Sequence, residues 1–232
     1  MVWWAGKSSD DLLVCVEHYP VRIVPKRRRQ TITVPGRSGD LHIVEDAWEN
    51  YIQPYDIYLS AEAQGLPRVA EAVAAWLSSP RDYERLEDDY NPGVYRMASF
   101  VGPLDIANTL NLFGKATVNF DCKPQRWLTS GEEAMALGSG GVVYNPTAFA
   151  ARPLITVTGS GNGTLTVNGH VLTLTGVSGS IILDCDLETA YKGSSNLNSA
   201  VTGDFPELAP GENTVALSGL TAVEIIPRWW TL

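Results

Sequence analysis

The stretch Leu154-Ile155-Thr156-Val157-Thr158, Gly159-Ser160-Gly161-Asn162-Gly163, Thr164-Leu165-Thr166-Val167, Asn168-Gly169, His170-Val171-Leu172-Thr173-Leu174 decides the fold class. Runs of aliphatic and β-branched residues are separated by turn residues alone. Threonines alternate with apolar side chains, as on a strand with one buried face. Asn168-Gly169 between two such runs is a strong hairpin signal, because a type I′ turn needs positive φ at both central residues. Gly159–Gly163 lies between strand patterns and opens no helix, so it reads as a hairpin loop and not a phosphate cradle. Outward from there, Gly176–Gly179 turns the chain and Ser180–Cys185 continues the pattern. Asn213–Leu217 and Ala222–Trp229 then close the unit. Short strands with a turn every ~8–12 residues indicate a β-sandwich.

Upstream the texture changes. Residues 1–128 hold 14 Lys and Arg against 17 Asp and Glu, whereas residues 129–232 hold 3 against 9. The shift predicts a domain spanning 1–128, a linker over 129–144 containing Gly138-Ser139-Gly140-Gly141, and a second domain over 145–232. In the first domain, Leu12–Val16, Val21–Val24, Gln30–Val34, Leu41–Val44 and Tyr55–Leu59 read as strands, with a turn at Pro35–Asp40. Leu66, Val69, Val73 and Trp76 or Leu77 recur at helical spacing behind Pro67, and Ser78-Ser79-Pro80 ends that helix. Arg81–Asp89 and Val94–Phe100 read as a strand pair around the turn at Asn91-Pro92-Gly93, and Gly114–Cys122 as a last strand.

The 232-residue chain has a formal net charge of -9, which disfavours a nucleic-acid partner. The exception is the basic run Lys26-Arg27-Arg28-Arg29, which reads as a solvated or subunit-facing strand end. Three cysteines, Cys15, Cys122 and Cys185, lie far apart and predict no disulfide framework and a reducing compartment. No stretch has the length and apolarity of a membrane-spanning helix, and no signal-peptide pattern opens the chain. His18, His42 and His170 are each isolated, and no metal-ligand spacing, nucleophile elbow or phosphate loop is present. The expectation is therefore no catalytic residue, no metal and no cofactor. Asp184, Asp186 and Glu188 alternate as if along one strand face, the best carboxylate cluster available. Of seven tryptophans, six lie near segment ends, where large aromatics serve either a core or a subunit contact.

The second half, from Asn145-Pro146-Thr147 through Ala151–Gly161, Ile182–Tyr191, Gly203–Leu208 and Pro210–Asn213 to Ile226-Pro227-Arg228-Trp229-Trp230, resembles the galectin-like domain of siphophage distal tail (Dit) proteins. Pro35–Leu41, the single helix, and Phe120–Trp127 resemble that family's N-terminal domain. The resemblance implies a mainly β chain, with an N-terminal split β-barrel bearing one α-helix followed by a galectin-like β-sandwich. It further implies a hexameric ring at the virion tail tip, assembled in the host cytoplasm and joining the tail tube to the tail-tip proteins. A closed ring needs an apolar contact with a charged rim. Candidates are Trp3, Trp4 and Trp48 as anchors, with Arg27, Arg28 and Arg29 facing Glu84, Glu87, Asp88 and Asp89. The competing reading is a carbohydrate-binding attachment module acting through the sandwich, where Tyr191, Asn196 and Asn198 form the available cluster.

Overall fold

The computed structural model describes residues 1–61, 65–109 and 112–232, and the chain is mainly β. It divides into two compact units, residues 1–126 with Leu232 and residues 127–231.

The first unit comprises β1 (Val2–Trp4), β2 (Lys7–Ser8), β3 (Val14–Val16), β4 (Arg27–Ile32), β5 (Leu41–Trp48), β6 (Tyr51–Ser60), α1 (Leu66–Ser78), β7 (Glu84–Asp88), β8 (Val94–Val101), β9 (Ala107–Thr109) and β10 (Phe113–Leu128). Its curled main sheet runs β2-β1-β7-β8-β10-β6-β3, with β9 added against β10. Strict alternation sets its inner face: Tyr51, Gln53, Tyr55, Ile57 and Leu59 of β6 point inward between outward neighbours. The helix closes the core with the stripe Leu66, Val69, Val73, Trp76 and Leu77, at the spacing the sequence predicts. Pro67 sits in its first turn, where the missing N–H costs nothing. Trp4 is fully buried against Phe120, ring centroids 4.8 Å apart, and its carbonyl accepts a hydrogen bond from Trp76 Nε1 at 3.1 Å. Val21–Val24, expected as a strand, has no regular secondary structure, and both valines are exposed. It is tied to the sheet by the Gln53 side-chain amide, which donates to the Val21 carbonyl at 3.1 Å, and by Ile23, which packs on the core.

The second unit contains β11 (Met135–Gly138), β12 (Gly140–Asn145), β13 (Leu154–Val167), β14 (His170–Asp184), β15 (Thr189–Lys192), β16 (Ser195–Asn196), β17 (Val201–Thr202), β18 (Gly211–Ser218), β19 (Ala222–Ile226) and β20 (Trp230–Thr231). Segment 129–144, expected as a linker, is instead structural. β11 pairs with β19, and β12 pairs along its whole length with β18. Gly131 shows why its glycines are not linker glycines. A Cβ there would lie 2.4 Å from the Trp229 backbone nitrogen, while the Gly131 carbonyl accepts the Arg228 N–H at 2.8 Å. Small size permits backbone contact here, not flexibility.

Gly159–Gly163 is likewise not a loop. β13 is one continuous strand whose first part pairs with β19 and whose last part pairs with β18, with a register shift between Gly161 and Gly163. A Cβ on Gly163 would meet the Ser218 carbonyl oxygen at 2.5 Å, and one on Gly159 would meet Thr221 N at 2.9 Å. The glycines let β13 bend under the β18–β19 corner, so one long strand joins both sections of the sheet. Asn168 and Gly169 do form the tight turn, with φ of 51° and 85°. The core is aliphatic, built from residues such as Ile155, Leu165, Leu174, Leu183 and Ile225, with Trp229 at one margin.

Candidate interaction surfaces

β4 and β5 hydrogen-bond to each other and form a two-stranded sheet of their own. Every residue from Arg27 to Asp46 is exposed. The basic run thus lies on the free β4, near the hairpin's base. Arg27 stacks its guanidinium 4.7 Å from the ring centroid of the half-buried Trp48 and reaches Asp46 at 3.6 Å. Two polar cross-strand pairs decorate the hairpin: Thr31 Oγ1 with His42 Nδ1 at 3.2 Å, and Thr33 Oγ1 donating to Asp40 at 2.9 Å.

The remaining contact candidates fall on β1 and β7 and divide sharply. Trp3 is exposed, beside an open depression lined with Gly6, Arg85 and Glu87. Glu84 is exposed, and the half-buried Glu87 pairs with Arg85, whose guanidinium lies 3.9 Å from the Tyr95 ring centroid. Asp89 is exposed and bonds the Met1 amino group at 2.8 Å. Trp4 and Asp88 are withdrawn as contact residues, because both point to the inner face. Adjacent residues on a strand face opposite ways, so Trp3 and Trp4 cannot both be surface anchors.

Asp88 instead centres a buried polar network. Its Oδ2 accepts from Tyr55 Oη at 2.8 Å and Arg96 Nη1 at 2.7 Å, and its Oδ1 accepts from Asn91 Nδ2 at 2.8 Å. Asn91 Oδ1 in turn accepts from the buried Arg126 at 2.7 Å. Burial pushes the Asp88 carboxyl up, but hydrogen bonds from Arg96, Asn91 and Tyr55, with the Arg96 charge, outweigh it and hold it below the ordinary range. The Arg126 guanidinium is shifted down by burial and by Arg96 and Arg22 nearby. Nothing in the composition marks this network, because its members come from four separate segments.

In the second unit the carboxylate row does not form. Asp184 ends β14, while Asp186 and Glu188 lie in the following turn. Asp184 is held by Arg228 through two hydrogen bonds of 2.8 and 3.0 Å, and also accepts the backbone N–H groups of Asp186 and Leu187. The proposed sugar cluster is occupied with its own loop: Asn198 Oδ1 accepts the Ala190 N–H at 2.6 Å and Asn196 Oδ1 accepts the Asn198 N–H at 2.9 Å. Among the described residues no three His, Cys, Asp or Glu side chains converge as a metal site, and no helix is long and apolar enough to cross a membrane.

The described residues form two β units, one closed by a single helix and one a bent-strand sandwich. A solved structure that shares this fold is the Dit protein of phage SPP1, described as a paradigm of the hub adsorption apparatus in phages infecting Gram-positive bacteria. The two agree with a TM-score of 0.79 at 15% sequence identity, over 100% of this chain and 98% of that one. No protein-family model matches the chain, and no curated protein matches it in sequence.

Proposed function

We propose that this chain is a structural subunit of a phage or prophage tail tip. It forms a ring, six-membered in keeping with the sequence resemblance, between the tail tube protein and the tail-tip proteins. The observation that carries this reading is end-to-end similarity of both units, in order, to a hub protein. A match confined to one β-sandwich would carry little, since such folds host unrelated functions. The role is one of geometry and contact, without catalysis, cofactor, nucleic acid or membrane. Buried polar groups support it: the charged clusters around Asp88 and Asp184 are consumed by internal partners. The sandwich is proposed to project from the ring without binding simple sugars, since Asn196 and Asn198 are committed to backbone groups.

Electron microscopy of the purified chain tests the proposal. Annular particles with a central hole are expected. Particles of single-chain mass at every concentration tried would refute it.

A further inference from the structure

The interior of the first unit holds two buried cations against one buried anion. Among its described residues, Arg96, Arg126 and Asp88 are the charged side chains withdrawn from water, at 4%, 3% and 3% exposed. Asp88 is fully engaged by Tyr55, Arg96 and Asn91, but the guanidinium groups are not. Arg96 Nε, Arg126 Nε and Tyr51 Oη are shut off from solvent and make no hydrogen bond among the described residues. Buried polar atoms are nearly always paired, so three orphans together call for an occupant. They do lie together. Arg126 is joined to Arg96 through Asn91 and Asp88. Tyr51 sits directly across from Cys122 on the β6–β10 pair, and the charges of both guanidinium groups act on its phenol.

No side chain of the cluster supplies the second negative charge. Burial pushes the phenols of Tyr51 and Tyr55 up and the Cys122 thiol up to about 12, so all three are neutral near pH 7. Asp121 precedes Cys122 on β10 and faces the other way, where Asn50 and Tyr83 donate to it. Arg22 adds a further positive charge within reach of Arg126. A guanidinium keeps its proton in a protein, so deprotonation does not relieve the excess. A buried water would satisfy the orphaned N–H groups but leave the charge unbalanced.

We propose that this cluster binds a small monovalent anion of the chloride class, held by Arg96 Nε, Arg126 Nε and the Tyr51 hydroxyl. The ion is a structural part of the first unit, and its binding does not depend on the ring reading. Dehydration selects the class. An enclosed site favours chloride or bromide, which give up water more readily than fluoride or sulfate.

The test follows denaturant unfolding of the full chain at pH 7 and fixed ionic strength, as sodium chloride or bromide replaces sodium gluconate. Hydrogen exchange resolved by peptide reads the two units separately. An ion bound by the folded unit and released on unfolding raises the folding equilibrium constant by up to tenfold for each tenfold rise in its concentration. The first unit is expected to show that dependence in both halides. The second unit, where Asp184 is matched by Arg228, should not. Arg126→Met removes the excess charge and should abolish the dependence. Crystals grown in bromide need no variant and should show an anomalous peak within hydrogen-bonding distance of Arg96 and Arg126. A first unit indifferent to the anion, an equal halide effect on both units, a dependence that survives Arg126→Met, or the absence of that peak would overturn the proposal and leave the orphaned groups to water.

Discussion

Replacing Asp88 with Asn should destabilise the first unit far more than its surface chemistry suggests. The Asp88 side chain is wholly inaccessible, and its partner Arg96 is 5% exposed. The substitution keeps the size and removes one negative charge from a site where Arg96 and Arg126 are both buried. Withdrawing one member of a buried ion pair leaves the other uncompensated, at about 3–5 kcal/mol. With a melting temperature that moves by roughly 3 °C per kcal/mol for a unit of this size, the first-unit transition should fall by roughly 10–15 °C. Calorimetry at pH 7 measures it. The pH dependence gives a second handle. The folded Asp88 carboxyl is depressed below its reference value of 3.8. Its stabilisation is therefore complete above that reference value and is lost as pH falls through the lower folded value. The gap between the native chain and Asp88→Asn should narrow as the solution is acidified below pH 4 or so. A loss under about 1 kcal/mol at pH 7, or a gap that does not change with acid, would show that the network is not charge-balanced as described.

Three further outcomes are expected. Gly131→Val should cost at least about 1–3 kcal/mol in denaturant unfolding, because its side chain must displace the Trp229 backbone; a neutral result would place that close approach in doubt. Native protein should react with a thiol reagent at Cys15 alone, since Cys122 and Cys185 are buried with thiols pushed up to about 12, and all three should react after denaturation. Arg228→Met should weaken the second unit by roughly 1–3 kcal/mol near neutral pH. Hydrogen bonds from Arg228 hold the Asp184 carboxyl low, so this loss should shrink as pH falls through the Asp184 range, as acid titration of unfolding would read.

The sequence disclosed periodicity well and chain path poorly. The α1 stripe and the Asn168-Gly169 turn were legible because both depend on local spacing. The glycines misled. At Gly131, Gly159 and Gly163 the sequence pattern is that of linkers and loops, but the cause is backbone packed within contact distance, which only the folded chain reveals. The contact residues were half legible. Alternation along β1 sends Trp3 outward and Trp4 inward, a distinction available from the sequence once the strand is recognised. Asp88 was not legible in this way, since its burial depends on Tyr55 and Arg96 arriving from other strands. The strands β4 and β5 were visible as alternation, but the exposure of both their faces was not.

The turn at Asn168-Gly169 bears on how the protein ages. An asparagine followed by glycine is chemically vulnerable, because the next backbone nitrogen can attack the side-chain amide and release ammonia through a cyclic imide. In this turn both ends of the amide are engaged: Asn168 Nδ2 donates to Asn213 at 2.7 Å and Oδ1 accepts the Thr214 N–H at 2.9 Å. The amide must leave those partners before the ring can close, so deamidation waits on local opening of the hairpin. The slow appearance of aspartate or isoaspartate at position 168 then becomes a clock for fluctuations of the sandwich in stored protein.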